Sequence, residues 1–153
     1  MRNAFFLKFC CLLTTVAVNC STRSSYEKVD DGVIIHIGQK DGTKNLKLQV
    51  ISDKIIHVIA SPVDTFSTFN SLVVVPDLKK SGDWDIIDGD STLTLQTSQL
   101  KARVSLRTGE VAFLDSAGSE ILQEQKDGGK YFTAVTIDGE SSYNIRQVFE
   151  SSD

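Results

Sequence analysis

Apolar and polar residues alternate with a period of two along most of this chain. Leu46, Leu48 and Val50 alternate with Lys47 and Gln49, and a turn at Ser52-Asp53 follows. Ile56, Val58 and Ala60 then continue the pattern, with Ile55, His57 and Ile59 on the other face. Successive side chains of a strand point to opposite sides, so this stretch predicts a hairpin with one buried face. Leu93 and Leu95 alternate with threonines and Gln96. Leu100, Ala102, Val104 and Leu106 alternate with Lys101, Arg103, Ser105 and Arg107, which makes the clearest half-buried strand of all. Thr108-Gly109 leads into Val111 to Leu114, and the turn from Asp115 to Gly118 leads into Ile121-Leu122. Tyr131 to Ile137 is β-branched and aromatic. After a turn at Asp138-Gly139, Tyr143, Ile145, Gln147 and Phe149 point one way from a last strand.

No segment longer than ten residues carries a helical stripe. Roughly ten short strands about 8 to 12 residues apart, punctuated by glycine and aspartate, predict an all-β chain folded as an antiparallel β-sandwich. Pro62 and Pro76 fall at strand edges or in loops, where a missing N–H is tolerated.

The first nineteen residues stand apart from this pattern. Arg2 precedes, and Lys8 falls near the start of, an acid-free, mostly apolar stretch from Ala4 to Val18, cut short by Asn19, Ser21, Thr22 and Arg23. That is the layout of a signal peptide, and it is shorter than the roughly 20 apolar residues of a bilayer-spanning helix. Ala17-Val18-Asn19-Cys20 resembles a bacterial lipoprotein box, in which Cys20 becomes the first mature residue and is lipidated. The alternative is an incidental thiol beside an ordinary cleavage site. The chain therefore divides into a signal peptide at 1–19, a tether at 20–25, a domain at 26–150 and a short end at 151–153. The expected location is outside the cytoplasm, in a bacterial periplasm or at the cell surface, on an outer-membrane lipid anchor. Acyl chains contribute about 0.8 kcal/mol per buried CH₂, so two or more hold stably where one does not.

Cysteine and charge narrow the chemistry. Cys10 and Cys11 lie inside the leader, which leaves Cys20 alone in a mature chain, with no disulfide scaffold and no cysteine metal site. The whole chain carries 16 basic and 20 acidic residues; without Arg2 and Lys8 the balance is 14 to 20. No basic cluster offers a nucleic acid an electrostatic footing. His36 and His57 read as strand histidines, with no acid or cysteine at ligand spacing. No metal or other cofactor is expected, and no nucleophile elbow, phosphate loop or zinc helix is present.

Three aromatic residues are candidates for carbohydrate contact or for docking a neighbouring domain. Trp84 is surrounded by Asp83, Asp85, Asp88 and Asp90, as though a sugar ring stacked on the indole beside carboxylates. It reads equally as a cap on the core, with Asp88-Gly89-Asp90 as a tight turn. Phe66 and Phe69 fall in a polar loop from Pro62 to Asn70, where they either present a stacking platform or fold back onto the sandwich.

The order of these strands resembles a known family. Leu46 to Pro62 is similar to the opening strand pair of the N-terminal domain of glycoside hydrolase family 31, the α-glucosidases and α-xylosidases. A loop and the short apolar run Ser71 to Val75 follow as they do there. The strand Leu100 to Arg107, the hairpin Gly109 to Leu122 and the strand Ile145 to Glu150 take up the same sequence of elements. The resemblance runs from about Tyr26 to Glu150 and implies a galactose-mutarotase-like sandwich packed against a (β/α)₈ barrel. In the family the barrel supplies both catalytic aspartates, and no residue here matches either motif. The chain by itself is therefore expected to be non-catalytic, a fragment of a retaining α-glycosidase that supports the barrel and contributes at most to carbohydrate binding. The competing expectation is a free-standing surface lipoprotein that binds a saccharide or a protein.

Overall fold

The computed structural model describes residues 25–38, 42–68 and 83–151. The leader, Cys20, Phe69 and the run Ser71 to Val75 lie outside the described residues. Within them the alternating segments become eleven antiparallel strands, with no helix between them.

One sheet holds β1 (Tyr26–Val29), β2 (Gly32–His36), β3 (Asn45–Ser52) and β4 (Ile55–Ser61), paired in chain order. The predicted hairpin is β3–β4. Leu46 faces Ala60, Leu48 faces Val58 and Val50 faces Ile56, so its three apolar pairs share one side. A second sheet holds β5 (Asp85–Asp88), β6 (Thr92–Gln96), β7 (Leu100–Ser105), β8 (Val111–Asp115) and β9 (Glu120–Gln123), also in chain order. Chain-order pairing follows from the short polar turns, which return each strand beside the one before it.

The two inner faces meet in one core. Val33, Ile35, Ile37, Leu46, Leu48, Val50 and Ile56 come from the first sheet and its flank; Leu93, Leu95, Ala102, Val104 and Val111 come from the second. A fully buried side chain of this kind contributes roughly 1.5–3 kcal/mol, so this layer is what holds the domain. At one end Thr97 ties the sheets together: its hydroxyl donates to the carbonyl of Asp53, 2.6 Å away, in the β3–β4 turn. The expected sandwich is the observed one.

The last hairpin departs from the pattern. β10 (Lys130–Ile137) and β11 (Glu140–Gln147) pair over eight residues in a two-stranded sheet of their own. The predicted turn is present, with Asp138 and Gly139 both at positive φ (52° and 85°), as a hairpin of matching twist requires. Beyond each other, the two strands touch other strands only marginally. Ile137, Tyr143, Ile145 and Phe149 are consequently exposed, Ile145 to 65 %. Alternation specifies that a strand has an apolar face; it does not specify what covers that face.

Candidate functional site

The hairpin leaves the sandwich through a buried polar node. Glu124 follows β9 and is 1 % exposed; Lys130 opens β10 and is 7 % exposed. The Lys130 ammonium donates to Glu124 Oε2 and to the carbonyl of Gly109, the latter at 2.9 Å. Glu124 Oε2 also accepts the Val111 N–H at 2.9 Å, and Oε1 accepts the side-chain amide of Gln147, again at 2.9 Å. One carboxylate thus joins β8, β10 and β11. Burial pushes the Lys130 ammonium below the ordinary lysine value, and the carboxylates of Glu124 and Glu110 oppose that shift. A buried charge is tolerable only when paired and hydrogen-bonded in this way. After the node the backbone rejoins the second sheet: Gln125 N–H donates to Val148 O, and Glu150 N–H to Gln123 O.

The strand pairing gives the hairpin two unlike faces. Phe132 lies opposite Ile145 and Ala134 opposite Tyr143, on the side that carries Lys130 and Gln147 at the root. The Phe132 and Tyr143 rings meet edge to face, 6.2 Å between centroids. The opposite side pairs Tyr131 with Arg146, Thr133 with Asn144, Val135 with Ser142 and Ile137 with Glu140. There the Arg146 guanidinium sits 4.3 Å from the Tyr131 ring centroid. Beyond its root, the first face is uncharged; the second carries both signs.

The three aromatic candidates have different settings. Phe66 is half-buried, just after a turn pinned at its root. Ser61 Oγ donates toward Val63 O and Thr65 O, Asn45 Nδ2 donates to Val63 O at 3.0 Å, and Lys44 pairs with Asp64 at 2.9 Å. Trp84, immediately before β5, packs against the core, with the Lys28 ammonium 4.5 Å from its ring centroid. One face of the indole is thereby occupied. Of the surrounding acids, Asp88 accepts the Tyr26 hydroxyl at 2.9 Å, and Asp85 accepts the N–H of Ile86. Phe66 and Trp84 flank the stretch that contains Phe69.

A second polar network covers the outer face of the first sheet. Asp31 accepts from Lys47 at 2.9 Å and from the Gln49 amide at 2.6 Å, and Gln49 in turn meets His57 Nδ1 at 3.3 Å. Partial burial raises the Asp31 carboxyl, but the hydrogen bonds from Lys47 and Gln49 and the lysine's charge outweigh it and hold the group below its usual value. A carboxylate so depressed stabilises the fold above its unfolded-state pKa, near 4 (about 3.9 for a free aspartate), and the contribution fades as pH falls through the folded value. Asp31→Asn is therefore expected to lower the urea midpoint at pH 7 and to flatten its decline below about pH 4. Identical acid-limb slopes for the two proteins would remove Asp31 from the account.

The carboxylates with hydrogen-bond or ion-pair partners among the described residues are engaged by lysine, arginine, amide, hydroxyl or backbone N–H groups. Among the described residues no three histidine, cysteine, aspartate or glutamate side chains are grouped to hold a metal. Reasoning from sequence missed the Glu124–Lys130–Gln147 node. Glu124 sits in the polar run Gln123 to Asp127, where nothing local marks a residue as buried.

Among the described residues, fold and surface together define an antiparallel β-sandwich that presents a separate two-stranded hairpin. The chain is homologous to one segment of α-xylosidases of glycoside hydrolase family 31. No protein-family model matches the chain. It is 27 % identical over 112 residues to an α-xylosidase of Saccharolobus solfataricus, an alignment covering 73 % of this chain and 15 % of that enzyme. The crystal structure of the family 31 α-xylosidase of Xanthomonas citri superposes with a TM-score of 0.72 at 30 % identity, covering 83 % of this chain and 14 % of that one. A family 31 α-xylosidase from a soil metagenome, solved with xylose, gives a TM-score of 0.46 at 18 % identity, covering 66 % of this chain and 14 % of its own. The chain thus spans about a seventh of the length of the relatives it matches.

Proposed function

We propose that this chain is the supporting, non-catalytic β-sandwich of an exported family 31 α-glycosidase, packed against a catalytic (β/α)₈ barrel and acting with it on α-xylosides. The observation that carries the reading is the asymmetry of the match, which takes in most of this chain and a small share of two enzymes named as α-xylosidases. Retaining hydrolysis needs two carboxyl groups about 5–5.5 Å apart across the scissile bond. The carboxylates with partners among the described residues serve structure, which supports a reading in which the rest of the enzyme breaks the bond. Residues 1–19 direct export, and Cys20 carries the lipid that holds the protein at the outer membrane. Phe66, Phe69 and Trp84 remain the candidates for touching carbohydrate, with Phe66 on the best-anchored loop.

Two measurements test this. The purified chain is expected to give no turnover of an aryl α-xyloside, and sustained hydrolysis by it would overturn the non-catalytic role. Reading the gene beyond codon 153 is expected to show barrel-coding sequence in frame or after a nearby frameshift. A clean stop followed by unrelated sequence would favour a free-standing lipoprotein. Cys20→Ser is expected to abolish incorporation of labelled palmitate during expression in a bacterial host.

A further inference from the structure

We propose that the uncharged face of the β10–β11 hairpin, formed by Phe132, Ala134, Tyr143 and Ile145, is the docking surface for the remainder of the family 31 enzyme, and that the charged face stays in water. This rests on the functional reading above and adds to it which surface makes the contact. The partner's matching surface is apolar and uncharged.

A two-stranded hairpin alone in water is marginal, and it needs a third strand or a covering layer to persist. Here eight cross-strand pairs are formed, yet among the described residues the other strands give them only marginal cover, and Gly42, whose backbone lies close against Phe132, shields only the root of the face. Ile145 is 65 % exposed and Tyr143 45 %, on the face where their partners are Phe132 and Ala134. A contiguous exposed apolar face marks a contact site on a protein of this kind. Its choice over the other face follows from charge. Arg146 and Glu140 lie on the second face, and burying charges without partners is strongly unfavourable. Nothing charged obstructs the first face beyond Lys130, and Glu124 already neutralises that residue.

The occupant follows from length and geometry. The related α-xylosidases carry more than five times as much chain as the segment matched here, so on the functional reading above a large partner is at hand within one enzyme. The node at Glu124 fixes the direction of the hairpin without filling its apolar face, as a preformed contact requires. Pre-organisation of this sort removes part of the ordering cost of association.

Cysteine labelling tests it. Cys10, Cys11 and Cys20 are replaced by serine, and single variants Ile145→Cys, Tyr143→Cys and Ile137→Cys are made in the 153-residue chain. The same variants are made in the longer polypeptide expressed from the continuous or frame-restored gene, and maleimide modification is followed peptide by peptide. Ile145→Cys and Tyr143→Cys are expected to react quickly in the short chain and at least about tenfold more slowly in the long one, with Ile137→Cys equally fast in both. Equal rates at positions 143 and 145 in the two proteins overturn the docking face while leaving the supporting role intact. Slow labelling of those positions in the short chain that speeds up on dilution identifies a second copy as the occupant and overturns this one. If the gene holds no barrel sequence, the functional reading fails and takes the docking face with it.

Discussion

Replacing Glu124 with alanine is expected to destabilise the protein by about 3–5 kcal/mol, because it leaves the Lys130 ammonium buried without its hydrogen-bonded carboxylate. The same change strips the Val111 N–H and the Gln147 amide of their acceptor. Glu124→Gln should cost less, since an amide oxygen can still accept one of these donors. The double replacement Glu124→Leu, Lys130→Met should cost less than Glu124→Ala alone, because no uncompensated charge remains. Urea unfolding of the three variants measures the order directly. Hydrogen exchange locates the damage: amides of β10 and β11 should lose protection before those of β6 and β7. An alanine variant within about 1 kcal/mol of the parent would show that Lys130 finds water or deprotonates at little cost.

Gly32→Ala is expected to be as damaging, on the order of 3 kcal/mol or more, by a different route. Gly32 opens β2 with φ at 154°, and a Cβ there would lie 1.9 Å from the carbonyl oxygen of Leu48 and 2.9 Å from its carbon. Both atoms are backbone, so no side chain can turn aside. Relief requires β2 and β3 to separate where Val33, Ile35, Leu46 and Leu48 are fully buried. The alanine variant should show a lower unfolding midpoint and weakened near-ultraviolet circular dichroism. A midpoint equal to that of the parent would mean that the first sheet is looser than its packing implies.

The two predictions also mark where sequence reading works. The β3–β4 hairpin, the half-buried β7 and the Asp138-Gly139 turn were legible because each is set by residues within a few positions of one another. The apolar inner faces were legible for the same reason: parity along a strand assigns Leu93 and Leu95, or Ala102 and Val104, to one side before any partner is known. Trp84 illustrates the boundary. Its aspartate neighbours are read directly from the sequence, whereas its packing on the core and its contact with Lys28, more than fifty positions earlier, are not.

By itself the sequence determined an all-β chain, its turns, the composition of its core and its likeness to family 31, since alternation and turn chemistry are local and survive without coordinates. Only the tertiary structure decided that Glu124, Lys130 and Gln147 converge, and that among the described residues β10–β11 forms a sheet of its own with Tyr143 and Ile145 exposed on its uncharged face. Those outcomes depend on which distant segments meet, and a buried carboxylate in a polar run looks like any exposed one until its partners close around it.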